Sequence, residues 1–187
     1  MITFRDGDVN LGEIWKNTAL VVIDVQVGLF TKKPIYKENE LLENINHLTN
    51  SARSADIPII WIQHANEEVL LKGTESYNIH PELSPQDSDL FFHKTVTSAF
   101  EETDLHQVLQ SKGIKQLVIS GTLTNACVKG NCKAAKKLGY SVILAKDAHS
   151  MWSDEKTGKE KIDKHNKKLV DDGIVTLKAS KEIYFRQ

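Results

Sequence analysis

The sequence predicts an α/β fold with three layers, in which helices cover both faces of a mostly parallel sheet of six strands. Two observations indicate this fold. Short apolar, partly β-branched runs alternate along the chain with segments whose apolar residues recur at helical spacing. The connections between successive apolar runs are long enough for right-handed crossovers, which parallel strands require. With 187 residues, the chain is interpreted as a single domain over residues 1–187.

The predicted elements follow a polar, irregular lead-in at residues 1–17. The apolar runs predict strands at residues 18–24, 57–62, 90–94, 116–120, 141–145 and 174–177. Helical spacing of apolar residues predicts helices at residues 38–56, 101–111, 128–138 and 156–170. Residues 64–90 are mostly polar and predict a long loop, and loops of this length inside a compact domain are usually functional.

Charge and composition argue against several classes of function. The chain has 24 Lys and Arg residues against 25 Asp and Glu residues, so no strong field points to nucleic acid or to an anionic membrane surface. The longest apolar runs have about five residues, which is too short for a signal peptide or a membrane span. Cys127 and Cys132 would face different sides of one helix, so we expect free thiols and a cytoplasmic, reducing setting.

The segment around Cys127 is the most informative part of the chain. An apolar run at residues 117–119 is followed by a Gly-Thr-x-Thr-Asn turn, and Cys127 then opens a predicted helix. The unpaired N–H groups and the dipole of a helix start stabilise an anion, so they lower the pKa of a thiol and can hold an oxyanion. Cys127 is therefore a candidate nucleophile, although a small buried cysteine near a helix start is an equally ordinary structural feature.

Two charged residues at the ends of other predicted strands strengthen this interpretation. Asp24 ends the first strand and Lys94 ends the third. Open α/β sheets form their ligand sites at the carboxyl ends of strands. Taken singly, Asp24 could cap a turn and Lys94 could be a solvated charge. Together with Cys127 they supply a general acid and base, a fixed cation and a thiol.

The chain also carries a set of short motifs in a fixed order. They are Val-Ile-Asp24-Val-Gln26 with Phe30, then Lys94 with Ser98-Ala99-Phe100, then Gly121-Thr-Leu-Thr124-Asn-Ala-Cys127-Val128, then Gly139-Tyr140-Ser-Val and Asp147-Ala148. In these motifs and their order the chain resembles the isochorismatase-like cysteine hydrolases, the group that includes nicotinamidase and N-carbamoylsarcosine amidase. The resemblance covers nearly all of the chain from about residue 18 onward.

The resemblance implies a fold and a reaction. It implies the strand order 3-2-1-4-5-6, which makes the first and fourth strands neighbours and brings Asp24 and Cys127 together. It implies hydrolysis of a small linear amide or carbamoyl compound through a thioester, without a cofactor. Cys127 would be the nucleophile, Asp24 the acid and base, and Lys94 the cation. The backbone N–H groups of Leu123 and Cys127 would form the oxyanion hole, beside a cis peptide bond between residues 122 and 123.

Three further residues are predicted to bind substrate, and no residue is predicted to bind a metal. The candidates for substrate binding are Phe30, Gln63 and Tyr77. Nicotinamidases bind a metal through an Asp-x-His pair after the second strand, where this chain has His64 and Asn66 instead. We therefore expect a metal-free branch of the family. Asn131 stands where the family usually has threonine, which affects details of the pocket rather than the class.

Two alternatives to an amidase remain open at this point. One is an isochorismatase-type vinyl-ether hydrolase, although members with that chemistry can lack the cysteine. The other is a catalytically inactive binding protein of the same fold. The expected partners are a small-molecule substrate and further copies of the chain, with no nucleic acid and no membrane. A homo-oligomer, at least a dimer, is expected from the family and from Tyr77 and Trp152, which we predict to be exposed and in need of cover.

Overall fold

Six parallel strands form the central sheet of the protein. They are β1 Thr18–Ile23, β2 Ile59–His64, β3 Leu90–Lys94, β4 Gln116–Thr122, β5 Ser141–Ser150 and β6 Thr176–Lys178. Their order across the sheet is β3-β2-β1-β4-β5-β6, and each neighbouring pair is parallel. The fold class and strand order predicted from the sequence are thus confirmed. The structure, a computed structural model, describes residues 15–185, so residues 1–14 of the lead-in predicted at residues 1–17 lie outside the described part.

Helices cover both faces of the sheet and create two apolar cores. The helices are Val27–Lys32, Glu38–Ser54, Ala99–Glu102, Leu105–Ser111, Lys129–Lys137 and Gly158–Asp171. Successive residues of β1 point to opposite faces, as expected of a strand. Leu20 and Val22 join a core with the helix Glu38–Ser54, whereas Val21 and Ile23 join the other core with Leu105 and its neighbours. In the described residues, no helix combines the length and apolar character needed to cross a membrane.

Several predicted boundaries are wrong, for local reasons. The helix predicted at residues 101–111 is two short helices, because hydroxyl side chains compete with the backbone for hydrogen bonds there. Ser98 Oγ accepts from Phe100 N, while Thr103 Oγ1 donates to Ala99 O and accepts from Leu105 N. The helix Val27–Lys32 has too few residues to show periodicity and was not predicted.

All described strands except β3 also differ from their predicted bounds, by one or two residues at an end in β1, β4 and β6. β2 begins and ends two residues later than predicted, with Pro58 just before it, where its carbonyl accepts from Leu20 N at 2.9 Å. β5 runs five residues beyond its apolar part. After a register shift in the pairing with β4, the polar residues His149 and Ser150 pair with Gly121 and Thr122.

Hydrogen bonds hold the long loop between β2 and β3 to the residues that follow β1. It contains one short 3₁₀ turn, Glu75–Tyr77. Beyond this turn, Val27 N donates to Asn78 O at 3.0 Å, and His80 N donates to Val25 O at 2.8 Å. The buried Gln26 side chain donates to Tyr77 O at 2.8 Å. The loop is therefore held to the sheet edge where the predicted site residues lie.

Gly121 permits the close approach of β1 and β4 at this edge. The residue has a φ of 114°, a conformation that residues with a side chain rarely adopt. A Cβ at this position would lie 2.1 Å from Ile23 O, on the paired strand. The absence of a side chain thus allows the two strands that precede Asp24 and the Cys127 turn to pair.

Replacing Gly121 by alanine should therefore destabilise the fold strongly. Left-handed strain costs about 1–2 kcal/mol, and the clash with a backbone oxygen adds about 1–3 kcal/mol. Gly139→Ala is the matched control, because Gly139 also has a positive φ but has open space around its Cα. Urea unfolding should show a clearly larger loss of unfolding free energy for Gly121→Ala. Equal losses in the two variants would contradict the argument from the strand contact.

Candidate active site

Asp24, Lys94 and Cys127 meet at the carboxyl edge of the sheet. Asp24 follows β1, Lys94 ends β3, and Cys127 lies in the turn after β4. The Lys94 ammonium donates to Asp24 Oδ2 at 2.8 Å and to Cys127 Sγ at 3.3 Å. Both ionic side chains are fully buried. The structure thus brings together the three residues that the sequence singled out.

His64, at the end of β2, is a fourth member of the cluster. Its Nδ1 lies 3.1 Å from Lys94 Nζ. An ammonium group only donates hydrogen bonds, so Nδ1 must be the acceptor and the ring proton must be on Nε2. Burial and the neighbouring Lys94 lower the pKa of His64, which also favours the neutral ring. In the sequence, His64 stands out only as a departure from a metal motif, although its position two residues after a predicted strand was a signal for the site.

The Asp24 carboxyl group is buried and has one oxygen without a partner. Its backbone has a φ of 49° and is held by Thr122 Oγ1, which donates to Asp24 O at 2.6 Å. Oδ2 accepts from Lys94, whereas the buried Oδ1 has no hydrogen bond within the described residues. Burial raises the pKa of Asp24, and Lys94 opposes this shift. The group is therefore a stronger base than an exposed carboxylate.

The Cys127 thiol differs from the prediction in its acidity. The residue lies in a π-helical turn, Thr124–Val128, that leads into the helix Lys129–Lys137. Burial and the adjacent Asp24 charge raise the pKa of Cys127 to about 12, although Lys94 acts in the opposite direction. The expectation of a lowered thiol pKa is therefore wrong, because desolvation and a neighbouring anion outweigh the helix start and the lysine. The resting thiol keeps its proton.

Side chains and backbone groups hold the turn that carries Cys127. The Thr122–Leu123 peptide bond is cis. Leu123 O accepts from Ala126 N at 3.0 Å and from Val128 N at 3.2 Å. Thr124 Oγ1 lies 2.8 Å from Nδ1 of the buried His149. Asn131 Nδ2 donates to Cys127 O at 2.8 Å, so asparagine anchors the turn where the family usually has threonine.

The three predicted substrate-binding residues make most of their contacts inside the protein. Phe30 lies against the His80 ring, with 4.7 Å between ring centroids. Gln63 Nε2 donates to Tyr77 O at 2.9 Å. The Tyr77 hydroxyl is hydrogen-bonded to His93 Nδ1, and burial, with the Asp24 charge, raises the pKa of Tyr77. Of the three, only Tyr77 is thus seen to interact with the cluster around Cys127.

Two aromatic residues predicted to be exposed are covered within the chain. Tyr77 is buried, with 7% of its surface accessible. Trp152 is half-buried, and its indole N–H donates to Leu29 O at 2.8 Å. The argument that these two aromatics need a partner chain is therefore wrong.

Known proteins resemble this chain in sequence and in fold. The family model of the isochorismatase domain matches residues 18–169 of this chain. The isochorismatase family protein YddQ of Bacillus subtilis is 28% identical over 137 residues, which cover 70% of this chain and 76% of that protein. The ureidoacrylate amidohydrolase RutB of Klebsiella pneumoniae is 26% identical over 187 residues, covering 79% of each protein. A crystal structure of an isochorismatase family protein superposes with a TM-score of 0.80 at 28% identity, covering 88% of this chain and 99% of that one.

The cluster does not fit a divalent metal, even though it contains suitable ligand types. One ligand atom each of Asp24, His64 and Cys127 lie within 4.8 Å of one another. However, the Lys94 ammonium already contacts all three residues, at 2.8 to 3.3 Å. A second cation among the same ligands would meet strong repulsion from the ammonium. The donor set is therefore already occupied by a cation that belongs to the chain.

We predict that divalent metals do not bind at this cluster. Equimolar zinc or manganese should not protect Cys127 from alkylation by iodoacetamide, and dialysis against a chelator should leave the melting temperature unchanged. The control is Lys94→Ala, which removes the competing charge and frees the three ligands. Protection of Cys127 by zinc in the unmodified protein, or a melting temperature lowered by the chelator, would contradict this prediction.

Proposed function

The chain belongs to the isochorismatase family of hydrolases, and we propose that it is a cysteine-dependent hydrolase of a small linear amide or carbamoyl compound. The observation that carries this proposal is the contact of one buried ammonium with a carboxylate and a thiol. These groups can supply proton transfer, charge stabilisation and a nucleophile within one site. The relatives named ureidoacrylate amidohydrolases support C–N chemistry, because ureidoacrylate carries a carbamoyl nitrogen.

In the first half of the proposed reaction, proton transfer accompanies attack. Because the thiol pKa is about 12, Cys127 does not attack as a preformed thiolate. The free Oδ1 of Asp24 takes the proton while Sγ forms a bond to the substrate carbonyl carbon. The carbonyl oxygen becomes an oxyanion and accepts from backbone N–H groups, for which we propose those of Leu123 and Cys127. The Lys94 ammonium contacts both Asp24 and the sulfur, so it offsets part of the negative charge on these groups during the step.

In the second half, the same carboxyl group reverses its role. Protonated Asp24 gives its proton to the departing nitrogen as the C–N bond breaks, which leaves a thioester on Cys127. Asp24 then takes a proton from water, and the resulting hydroxide adds to the thioester carbon. The C–S bond breaks, the acid product leaves, and Cys127 recovers its proton. A carboxyl group with a raised pKa suits both directions, since it takes up a proton more readily than an exposed carboxylate and can still release it.

The other proposals from the sequence concern the substrate contacts and the setting. We propose Phe30, Gln63 and Tyr77 as substrate-binding residues, with Tyr77 best supported because the Asp24 charge acts on its pKa, after burial. No cofactor takes part in the proposed steps. The free thiols of Cys127 and Cys132 support a cytoplasmic setting.

The proposed nucleophile and base are tested by two substitutions. Cys127→Ala should reduce turnover by at least ~10³-fold, because no thioester can form. Asp24→Asn should reduce it by ~10²–10⁴-fold, because an amide cannot carry the proton. Ammonia released from a panel of small linear amides and ureides gives the rates. The matched control is Cys132→Ala, the same substitution at a fully buried thiol that packs in the core.

Two results would contradict the proposal. Full turnover by Cys127→Ala would exclude the thioester route. Turnover of a vinyl ether but of no amide would favour the isochorismatase-type reaction. Circular dichroism of each variant should match the unmodified protein, so that a lost rate reports chemistry rather than unfolding.

We also propose that the chain forms a homo-oligomer, at least a dimer. β3 is an edge strand of the described sheet, and its Phe91 is 40% exposed. An exposed apolar side chain on an edge strand can be buried by binding of another chain.

Sedimentation at micromolar concentration should therefore give at least twice the mass of one chain. Phe91→Lys should shift the mass toward the monomer. Leu138→Lys is the matched control, because Leu138 is 41% exposed but lies at the end of a helix. A monomer in the unmodified protein would contradict this proposal.

A further inference from the structure

We propose that His64 is a positioning residue, which holds the Lys94 ammonium against Asp24 and Cys127. The inference deepens the proposed function and rests on it for the effect on turnover. The ammonium has three protons and three acceptors: Asp24 Oδ2 at 2.8 Å, His64 Nδ1 at 3.1 Å and Cys127 Sγ at 3.3 Å. The Lys94 side chain has no accessible surface. Each acceptor therefore receives one hydrogen bond from the ammonium. The bond to His64 leaves the other two N–H groups directed at Asp24 and Cys127.

His64 is itself held in place from both sides of its backbone. Gln26 Oε1 accepts from His64 N at 2.8 Å, and Gln26 Nε2 donates to His64 O at 3.0 Å. Gln26 is fully buried. This reciprocal pair of hydrogen bonds fixes the backbone of His64 at the end of β2. The backbone of Val96 also lies close enough to the imidazole to act on its pKa. The acceptor for Lys94 is therefore rigid.

Loss of this acceptor would change the charge balance of the whole cluster. A buried ammonium with an unpaired proton either shifts or loses its charge. In both cases Asp24 and Cys127 lose part of the interaction that favours their charged forms. The Cys127 thiol would then ionise less readily, even though the substitution lies outside the proposed proton path.

The test compares two substitutions that differ in the acceptor alone. His64→Leu replaces the imidazole with an apolar side chain of similar size, so it removes the acceptor. His64→Asn places an amide oxygen close to the position of Nδ1. Alkylation of Cys127 by iodoacetamide is measured across a range of pH, since the thiolate is the reacting species. The matched control is His106→Leu, because His106 is also half-buried and also bonds through Nδ1, to the Tyr140 hydroxyl at 2.8 Å.

We expect His64→Leu to slow alkylation by roughly 10-fold at about pH 8, equivalent to a rise of about one unit in the thiol pKa. His64→Asn should react within about threefold of the unmodified protein, and His106→Leu should react at the unmodified rate. In turnover, His64→Leu should lower kcat with little change in KM, because the ammonium stabilises charge during the reaction. If His64→Leu does not fold, His64→Ala serves in its place.

An unchanged alkylation profile in His64→Leu would overturn the inference, and so would equal losses in His64→Leu and His64→Asn. Alkylation does not depend on any substrate. An unmodified protein that turns over no amide, but whose Cys127 responds to the acceptor at residue 64, would refute the proposed function and leave this inference standing.

Discussion

The buried Lys94 ammonium is the interaction on which the rest of the site depends. Removing an ammonium and a carboxylate from water costs several kcal/mol for each ion, and their attraction repays this only when the remaining protons and lone pairs are satisfied. Lys94 meets this condition through one contact each with Asp24, His64 and Cys127. These contacts therefore require a fixed arrangement of four parts of the fold: the ends of β1, β2 and β3 and the turn after β4. The strand order provides this, because all four ends lie next to one another at one sheet edge.

The electrostatics of the cluster keep the proton on Cys127 at rest and leave Asp24 as the base that can take it. Burial raises the pKa of both groups; the Asp24 charge raises the pKa of Cys127 further, whereas Lys94 and Cys127 act to lower the pKa of Asp24. The ammonium contacts both groups, so it stays beside the carboxylate and the sulfur as the proton passes from one to the other. Such an arrangement needs little rearrangement when the proton moves, since the stabilising charge is already in place.

The parts of the fold that depend on local pattern were predictable from the sequence. Strand ends followed from apolar runs, so Asp24 and Lys94 were found as residues at the carboxyl edge, and the turn after residue 119 marked Cys127. What failed depends on tertiary contacts. The thiol pKa follows from burial and from a carboxylate that is distant in sequence. The burial of Tyr77 depends on other elements of the fold, such as β3, where His93 bonds to its hydroxyl.

Sequence pattern also failed where side chains act on the backbone. Helical spacing at residues 101–111 did not reveal that Thr103 interrupts the helix through its hydroxyl. The role of His64 was missed because its partner, Lys94, is 30 residues away in the chain. Its backbone partner Gln26 is 38 residues away.

The anchoring of the long loop separates the sequence of the loop from the geometry of the reacting groups, two properties that are often linked in enzymes. The loop is held at two places, near its start and at its middle: Asn66 Oδ1 accepts from three consecutive N–H groups at residues 68–70, and the side chains of Gln26 and Gln63 donate to the Tyr77 carbonyl. The stretch between these anchors contributes no atom to the contacts of Lys94. Residues 71–75 of this stretch are exposed, so a lineage, or a library of loop exchanges, can vary them while the reacting groups keep their geometry.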